Sequence, residues 1–295
     1  MQALWMVLAS LLFATMSVCV KFASAHFHSI ELVAYRGLIG MVVLALWCRA
    51  AGVSLRTHVP MMHLWRGIVG VFSLAAWFYA IGGLPLATAM TLNYMSGVWV
   101  SAFLVGGTLV MGRLSDLPRQ GPLVAVVLAG FAGVVMMLRP TIEQNQLFAG
   151  LMGLMSGLTA ALAYLQVASL GRVGEPELRT VFYFSVAAAA TGLLGMGITG
   201  ASAWHWPQAL WLLPIGLLAA VGQWCMTRAY TSGATLVVAN LQYSGIVFSA
   251  LYGLFLFGDR IPLIGWLGML LIILSGIVAT ALRRRALPNP PAEEY

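Results

Sequence analysis

Along most of this chain the apolar residues neither alternate nor keep to one side of a helix. They run on for about twenty residues, stop at a short polar or Gly/Pro break, and start again. Ten such runs can be traced, over 3–23, 30–49, 63–82, 86–111, 121–138, 147–170, 179–199, 207–230, 234–257 and 262–282. A helix rises roughly 1.5 Å per residue, so each run is close to the length that crosses an apolar layer about 30 Å thick. The breaks carry turn chemistry: Pro60, Gly82-Gly83 with Pro85, Pro118 with Gly121, Pro140, Pro176, Pro207, Gly233 and Pro262. Those at 83–85 and 231–233 are short enough to predict tight hairpins between antiparallel neighbours. The pattern predicts an all-α integral membrane protein of ten transmembrane helices, with no aqueous domain and a disordered tail over 286–295. Ala23-Ser24-Ala25 after the first run has the small-x-small form of a leader cleavage site. No basic residue precedes that run, however, and it is longer than a leader core, so a retained helix is expected.

Composition narrows the class. The 295 residues are 61% hydrophobic and 8% charged, against about 25% charged in a soluble domain. So few charges cannot cover a water-exposed surface, which excludes a soluble enzyme, a disordered chain and a disulfide-stapled secreted scaffold. Cys19, Cys48 and Cys225 lie within apolar runs without metal-type spacing and read as buried thiols. The net charge of +7 comes from arginines scattered between runs. It therefore predicts orientation in a bilayer and no nucleic-acid partner. Ten basic residues (Arg49, Arg56, Arg66, Arg113, Arg119, Arg172, Arg179, Arg283, Arg284 and Arg285) fall on the side of the N-terminus. Only four, Lys21, Arg36, Arg139 and Arg260, fall at the other side's ends, and Arg228 stays inside the eighth run. That excess puts both termini in the cytoplasm and the Trp204/Trp206 pair at the outer interface.

The two halves of the chain repeat one another. Glu31-Leu32 recurs as Glu177-Leu178, 146 residues on. Trp77, Ala87-Thr88 and Asn93 recur as Trp224, Ala234-Thr235 and Asn240 at 147, and Ser96-Gly97 and Ser101 as Ser244-Gly245 and Ser249 at 148. Leu128-Ala129-Gly130 matches Leu274-Ser275-Gly276 at 146. The order and near-constant offset predict a duplication, with five-helix repeats over 1–143 and 144–285. Five is odd, so the repeats must insert upside down relative to each other, with a site at their interface.

Ten short spans in two five-helix repeats, with Lys21 closing the first helix and an arginine early in the second, resemble the drug/metabolite transporter superfamily, EamA type. Trp77-x-Tyr79 before a short hairpin and Gly258-Asp259-Arg260 before the last helix match as well, over about residues 3–282. Arg113 after Gly112 departs from the acidic residue that family members often carry there. The resemblance implies transport of a small metabolite across a bacterial inner membrane, frequently outward, through a cavity between the halves.

Polar groups inside a membrane are expensive and therefore candidates for function. None of the eight acids (Glu31, Asp116, Glu143, Glu175, Glu177, Asp259, Glu293 and Glu294) lies in the middle of a run, which leaves no parts for a carboxylate proton relay or sodium cage. Cations do enter: Arg36 lies about six residues into its helix, or roughly 9 Å deep, and Arg228 sits near the inner end of the eighth run. Both can equally be read as snorkelling side chains, as can Lys21. Uncharged polar groups gather in the fourth and ninth runs, where Asn93, Tyr94 and Ser96 stand opposite Asn240, Gln242, Tyr243 and Ser244. Trp77, Tyr79, Trp99, Tyr164, Gln166, Gln223 and Trp224 add aromatic walls and hydrogen-bonding edges. Such a mixture makes a pocket for a small metabolite, although interhelical hydrogen bonds of about 1 kcal/mol would use the same residues. His26 and His28 read as loop residues, His58, His63 and His205 as span ends. No metal site, catalytic constellation or cofactor motif is predicted.

The expected cavity lies between helices 1, 3 and 4 of one half and 6, 8 and 9 of the other, with helices 5 and 10 outside. The expected solute is an amino acid or related anionic or zwitterionic metabolite, exported by alternating access. Arg36 or Arg228 would pair its carboxylate, and Trp77, Trp224 and Tyr94 would hold its apolar part. Alternatives are an organic cation or drug in an aromatic cage, an intramembrane lipid-modifying enzyme, and an assembly protein. The partners expected are a small-molecule substrate and the lipid bilayer, with a homodimer left open.

Overall fold

The structure of the protein, a computed structural model, describes residues 2–84, 86–110, 117–138, 146–204, 206–256 and 262–286. The sequence readings at Pro85, Gly112, Arg113, Asp116, Arg139, Pro140, Glu143, His205, 258–260 and the tail from 287 lie outside the described residues. So do those resting on the side chains of Ala87, Thr88, Pro118, Arg119 and 283–285.

Thirteen helices follow one another among the described residues. They are α1 (Gln2–Ala23), α2 (Ser29–Ala50), α3 (Pro60–Gly83), α4 (Leu86–Tyr94), α5 (Ser96–Val110), α6 (Leu117–Leu138), α7 (Leu147–Arg172), α8 (Glu177–Thr199), α9 (Trp206–Ala209), α10 (Leu212–Ser232), α11 (Thr235–Leu241), α12 (Ser244–Leu256) and α13 (Leu263–Ala286). No strand occurs among the described residues. Seven stretches there are long and apolar enough to cross a membrane: Leu4–Ala23, Ser29–Ala50, Pro60–Gly83, Leu147–Arg172, Glu177–Thr199, Trp206–Ser232 and Thr235–Leu256. Gly121–Met136 and Leu263–Ala279 are apolar but shorter. In the remaining predicted run, 86–111, residues 86–110 fold as α4 and α5 with a break at Met95. The protein is therefore all-helical and multi-pass. Its outer surface is apolar, as a bilayer requires, with Ile198, Phe255 and Leu263 among the most exposed side chains.

Helix ends follow local chemistry. Pro60 opens α3, where its missing N–H is no loss. At the start of α2 the Glu31 carboxylate accepts a hydrogen bond from the His28 N–H at 2.6 Å. Gly52 beyond α2 and Gly200 beyond α8 take φ of 66° and 81°, a left-handed turn that glycine enters without strain. They stand 148 residues apart, one in each half.

The most extensive contacts pair α2 with α8, α6 with α13, α1 with α10 and α3 with α7. Small residues let the backbones close up, which is how helices associate where no hydrophobic force separates protein from lipid. A Cβ on Gly192 would lie 2.5 Å from the Ala34 Cα, one on Gly37 would strike the Ala189 backbone, and one on Gly40 would lie 2.8 Å from the Ser185 Oγ. As α2 climbs through Ala34, Gly37 and Gly40, α8 falls through Gly192, Ala189 and Ser185, so the two run antiparallel. Gly133 against Gly268 and Gly130 against Ser275 give α6 and α13 the same relation. One apolar cluster (Met16, Val33, Phe78, Phe184 and Ile215 among its members) joins α1, α2, α3, α8 and α10. A second, including Met6, Val167, Met226, Tyr230 and Val238, joins α1, α7, α10 and α11.

Candidate functional site

Between these clusters lies a cavity of about 60 Å³. Eight of the helical segments reach it: α1 with Ser10, α2 with Arg36, α3 with Arg66, Ser73 and Trp77, α4 with Asn93 and Tyr94, α7 with Tyr164, α8 with Phe184, α10 with Gln223, and Gln242 at the end of α11. Among the described residues, none of those lining the cavity belongs to α6 or α13.

Two interruptions in helical backbone border the cavity. The fourth run breaks at Met95 between α4 and α5, and the ninth at Gln242-Tyr243 between α11 and α12. Gly157 of α7 lies directly on the first break, where a Cβ would meet the Leu92 carbonyl oxygen at 2.5 Å. At the second break the Gln242 side chain collects partners from several helices. Its Nε2 donates to Ser96 Oγ at 3.3 Å and to Tyr164 Oη at 3.5 Å, while Tyr230 Oη donates to its Oε1 at 3.5 Å. Ser10 Oγ donates to the Gln242 carbonyl at 3.3 Å. Across the cavity Asn93 Nδ2 donates to Ser156 Oγ at 3.1 Å, and Ser73 Oγ donates to the Ser156 carbonyl at 2.9 Å. The polar groups of both breaks are thus tied to other helices, and the cavity walls are fixed by them.

Two guanidinium groups enter the cavity. Arg36 is 5% exposed and donates from Nη2 to Gln223 Oε1 at 3.4 Å. Arg66 is 3% exposed, and its carbon lies 4.1 Å from the Phe184 ring centre, against 5.3 Å for Arg36. Among the described residues, no acidic or histidine side chain lines the cavity. Arg36 Nε, Arg66 Nε and Nη1, and Trp77 Nε1 are buried without a hydrogen-bond partner. Every orphaned atom among the lining side chains is a donor.

Of the residues singled out from sequence, Arg36, Trp77, Asn93, Tyr94, Tyr164, Gln223 and Gln242 come together here. The others stand elsewhere. Tyr79 is on the outer face of α3, edge-on to Phe148 at 5.5 Å. Trp99 stacks on Phe103 at 6.2 Å within α5, and Gln166 is only partly buried on α7. Trp224 packs against Trp5 at 5.2 Å and Trp47 at 4.9 Å, with the Arg228 guanidinium over the Trp5 and Trp224 rings. Asn240 binds the tenth run, donating to the Ser275 carbonyl at 3.2 Å and accepting from Ser275 Oγ at 3.1 Å. Tyr243 is fully buried behind Tyr94.

Arg66, which the charge pattern of the sequence places at a membrane end, lies buried in the cavity instead. A signal existed: Arg66 precedes Trp77 by eleven residues, about three helical turns, on the stripe that also holds Gly70 and Ser73. His63, a span end by its place in the sequence, is buried with its Nε2 2.8 Å from Glu175 Oε1. Arg179 Nη1 completes that cluster at 3.3 Å from both Glu175 oxygens. Burial opposes ionisation of Glu175, but hydrogen bonds from His63 and Thr57 and the Arg179 charge outweigh it and hold its carboxyl below the usual range. At the other end, Lys21 donates from Nζ to the Ile81 and Leu84 carbonyls at 2.9 and 3.2 Å, and Glu31 holds Ser202 through its backbone N–H and its hydroxyl.

Known proteins resemble this chain along most of its length. A model of the EamA-like transporter family matches residues 1–139. Pseudopaline exporter CntI of Pseudomonas aeruginosa is 33% identical over 260 residues, spanning 87% of this chain and 87% of that one. A riboflavin transporter of Rhizobium johnstonii is 28% identical over 292 residues, spanning 97% and 93%. One solved structure overlays with a TM-score of 0.77 at 22% identity, covering 96% of this chain and 99% of its own, which is a likeness of fold.

Proposed function

The chain belongs to the EamA-like transporter family of the drug/metabolite transporter superfamily, and on that footing we propose that it is a secondary transporter. It carries a small anionic or zwitterionic metabolite outward across a bacterial inner membrane by alternating access. One observation carries the choice of solute: the buried cavity at the helix breaks holds the Arg36 charge and, among the described residues, no acid. A guanidinium in a low-dielectric space attracts a carboxylate and repels a cation, so the organic-cation reading loses its support. A transporter is favoured over an enzyme because the chain matches the EamA-like transporter family and relatives named as transporters and exporters.

The architecture we propose is ten transmembrane helices in two inverted five-helix repeats, 1–143 and 144–285. Counting α4 with α5, α9 with α10 and α11 with α12 as single spans, the main contacts exchange when the halves are swapped. The α1–α10 pair becomes α7–α3, while α2–α8 and α6–α13 map onto themselves. Antiparallel packing in both self-paired cases is what inversion requires. The serine contacts follow suit: Ser10 of α1 bonds the ninth-run break and Ser156 of α7 the fourth, and the two serines are 146 residues apart. For orientation, the buried Arg66 and Arg36 drop out of the count, leaving nine basic residues against three, which keeps the termini in the cytoplasm.

The test is flux in proteoliposomes loaded with labelled amino acids, carboxylated metabolites, riboflavin and organic cations, with and without a pH gradient. Movement of carboxylated solutes that is lost in Arg36→Ala supports the reading. Movement of cations alone, or none of any solute in correctly inserted protein, overturns it.

A further inference from the structure

Arg36 and Arg66 arrive from different helices, α2 and α3, and converge on one Phe184 ring at 5.3 and 4.1 Å. Neither snorkels. Both are more than nine-tenths buried, and Arg66 lies six residues inside α3 rather than at its end. The local sequence makes room for this: a Cβ on Gly70 would collide with Arg66 Nη1, so the guanidinium occupies the space that any other residue at position 70 would fill. Two buried positive charges without an acid are among the costliest arrangements a membrane interior holds, since an unpaired charge there keeps most of its desolvation penalty. The free atoms around them are N–H donors from three side chains, Arg36, Arg66 and Trp77, and they call for acceptor oxygens.

We propose that Arg36 and Arg66 form a two-point clamp for a solute that carries two acidic groups, with the Trp77 indole N–H supplying a further hydrogen bond. This rests on the transport function proposed above and narrows its substrate class. A single carboxylate would leave one of two charges unbalanced, whereas a dicarboxylate matches the cavity in charge and gives each planar guanidinium its own carboxylate. Glutarate and glutamate, each with two carboxylates separated by three carbon atoms, are suitable probes.

The experiment measures thermal unfolding of the full-length protein in detergent with acetate, alanine, glutarate, glutamate, inorganic phosphate or tetramethylammonium, since a bound ligand raises Tm. Glutarate and glutamate are expected to raise Tm at concentrations where acetate, alanine, phosphate and tetramethylammonium do not. Arg66→Gln is expected to weaken dicarboxylate binding at least tenfold, and Arg66→Lys to restore part of it. Without ligand, Arg66→Gln should unfold at or above the wild-type temperature, because it removes an unpaired buried charge; a residue with a merely structural role would shift it downward. The clamp is overturned if acetate or phosphate matches glutarate, if Arg66→Gln binds glutarate within twofold of wild type, or if ligand-free Arg66→Gln melts below it. Flux separates this from the broader reading. Dicarboxylate binding with no flux removes transport and leaves the clamp, while flux of monocarboxylates that needs Arg36 but not Arg66 removes the clamp and leaves transport.

Discussion

Tyr94 and Tyr243 meet edge to face, with ring centres 6.3 Å apart and planes at 71°, and each hydroxyl presses on a glycine of the other's run. The Tyr243 hydroxyl lies 2.6 Å from where a Cβ on Gly97 would stand, and the Tyr94 hydroxyl occupies the corresponding place on Gly245. Gly97 and Gly245 are 148 residues apart, so the contact is made twice, once in each direction. It joins the two helix breaks.

Gly97→Ala should therefore destabilise by about 1–3 kcal/mol through overpacking. Tyr243→Phe removes a buried hydroxyl that has no hydrogen-bond partner and should be neutral or stabilising by about 1 kcal/mol. The double variant should recover part of the loss, since it removes the nearest atom, the hydroxyl, while the Tyr243 ring carbon at 3.0 Å and the Ala239 carbonyl at 3.3 Å remain close. Melting temperatures of the three proteins check this; equal Tm for Gly97→Ala and the double variant would show that the hydroxyl is not what Gly97 accommodates.

Gly37→Ala and Gly192→Ala should each disturb the α2–α8 contact more than an alanine at Gly82, which faces open space. The added methyl at either interface position meets backbone, which cannot rotate aside, so a loss of about 1–3 kcal/mol is expected. Detergent melting of the set decides the ranking.

Glu175 makes stability depend on acid. Its folded-state carboxyl titrates below the usual range, so its contribution is present above the ordinary glutamate value and disappears as pH falls through the lower, folded value. Tm should thus hold as pH drops toward about 4.3 and fall below it. Glu175→Gln should start from a lower Tm at neutral pH and decline less steeply. Parallel Tm curves for the two proteins would assign the acid sensitivity to other groups.

Lys21→Met frees the carbonyls of Ile81 and Leu84 at the end of α3. A loss of about 1–3 kcal/mol is expected, the range for charged hydrogen bonds and orphaned acceptors. Arg228→Ala should behave differently from Arg36→Ala: its guanidinium packs on Trp5 and Trp224 away from the cavity, so its effect should fall on Tm, by about 0.5–2 kcal/mol, and leave solute flux within about twofold, less than half of a 1.4 kcal/mol tenfold step.

Much of the fold was legible because membrane helices announce themselves by length. The turn residues Pro60, Gly233 and Pro262 fall at helix boundaries in the structure. Less legible was which side of each helix faces inward. In a run that is apolar all round, no stripe marks the interior, so the pattern does not separate neighbours one or two positions apart. Gln223 points into the cavity while Trp224, about 100° further round, packs on Trp5 and Trp47. Tyr164 lines the cavity and Gln166, two residues on, does not. His63 and Glu175 escaped for another reason: they are 112 residues apart in sequence, and nothing in either segment advertises the other.

The 60 Å³ cavity has a consequence for measurement. It has room for a few water molecules, whereas pockets that hold small ligands occupy about 300–1,000 Å³. A metabolite too large for that space would bind a wider form, and the observed affinity would be the intrinsic one reduced by the fraction of molecules in that form. If about one molecule in a hundred is wide, each measured Kd is about a hundredfold weaker than the contact itself. Substitutions that loosen the helix pairs far from the arginines would then tighten binding without touching the solute, and affinity in this protein becomes a report on how often it opens.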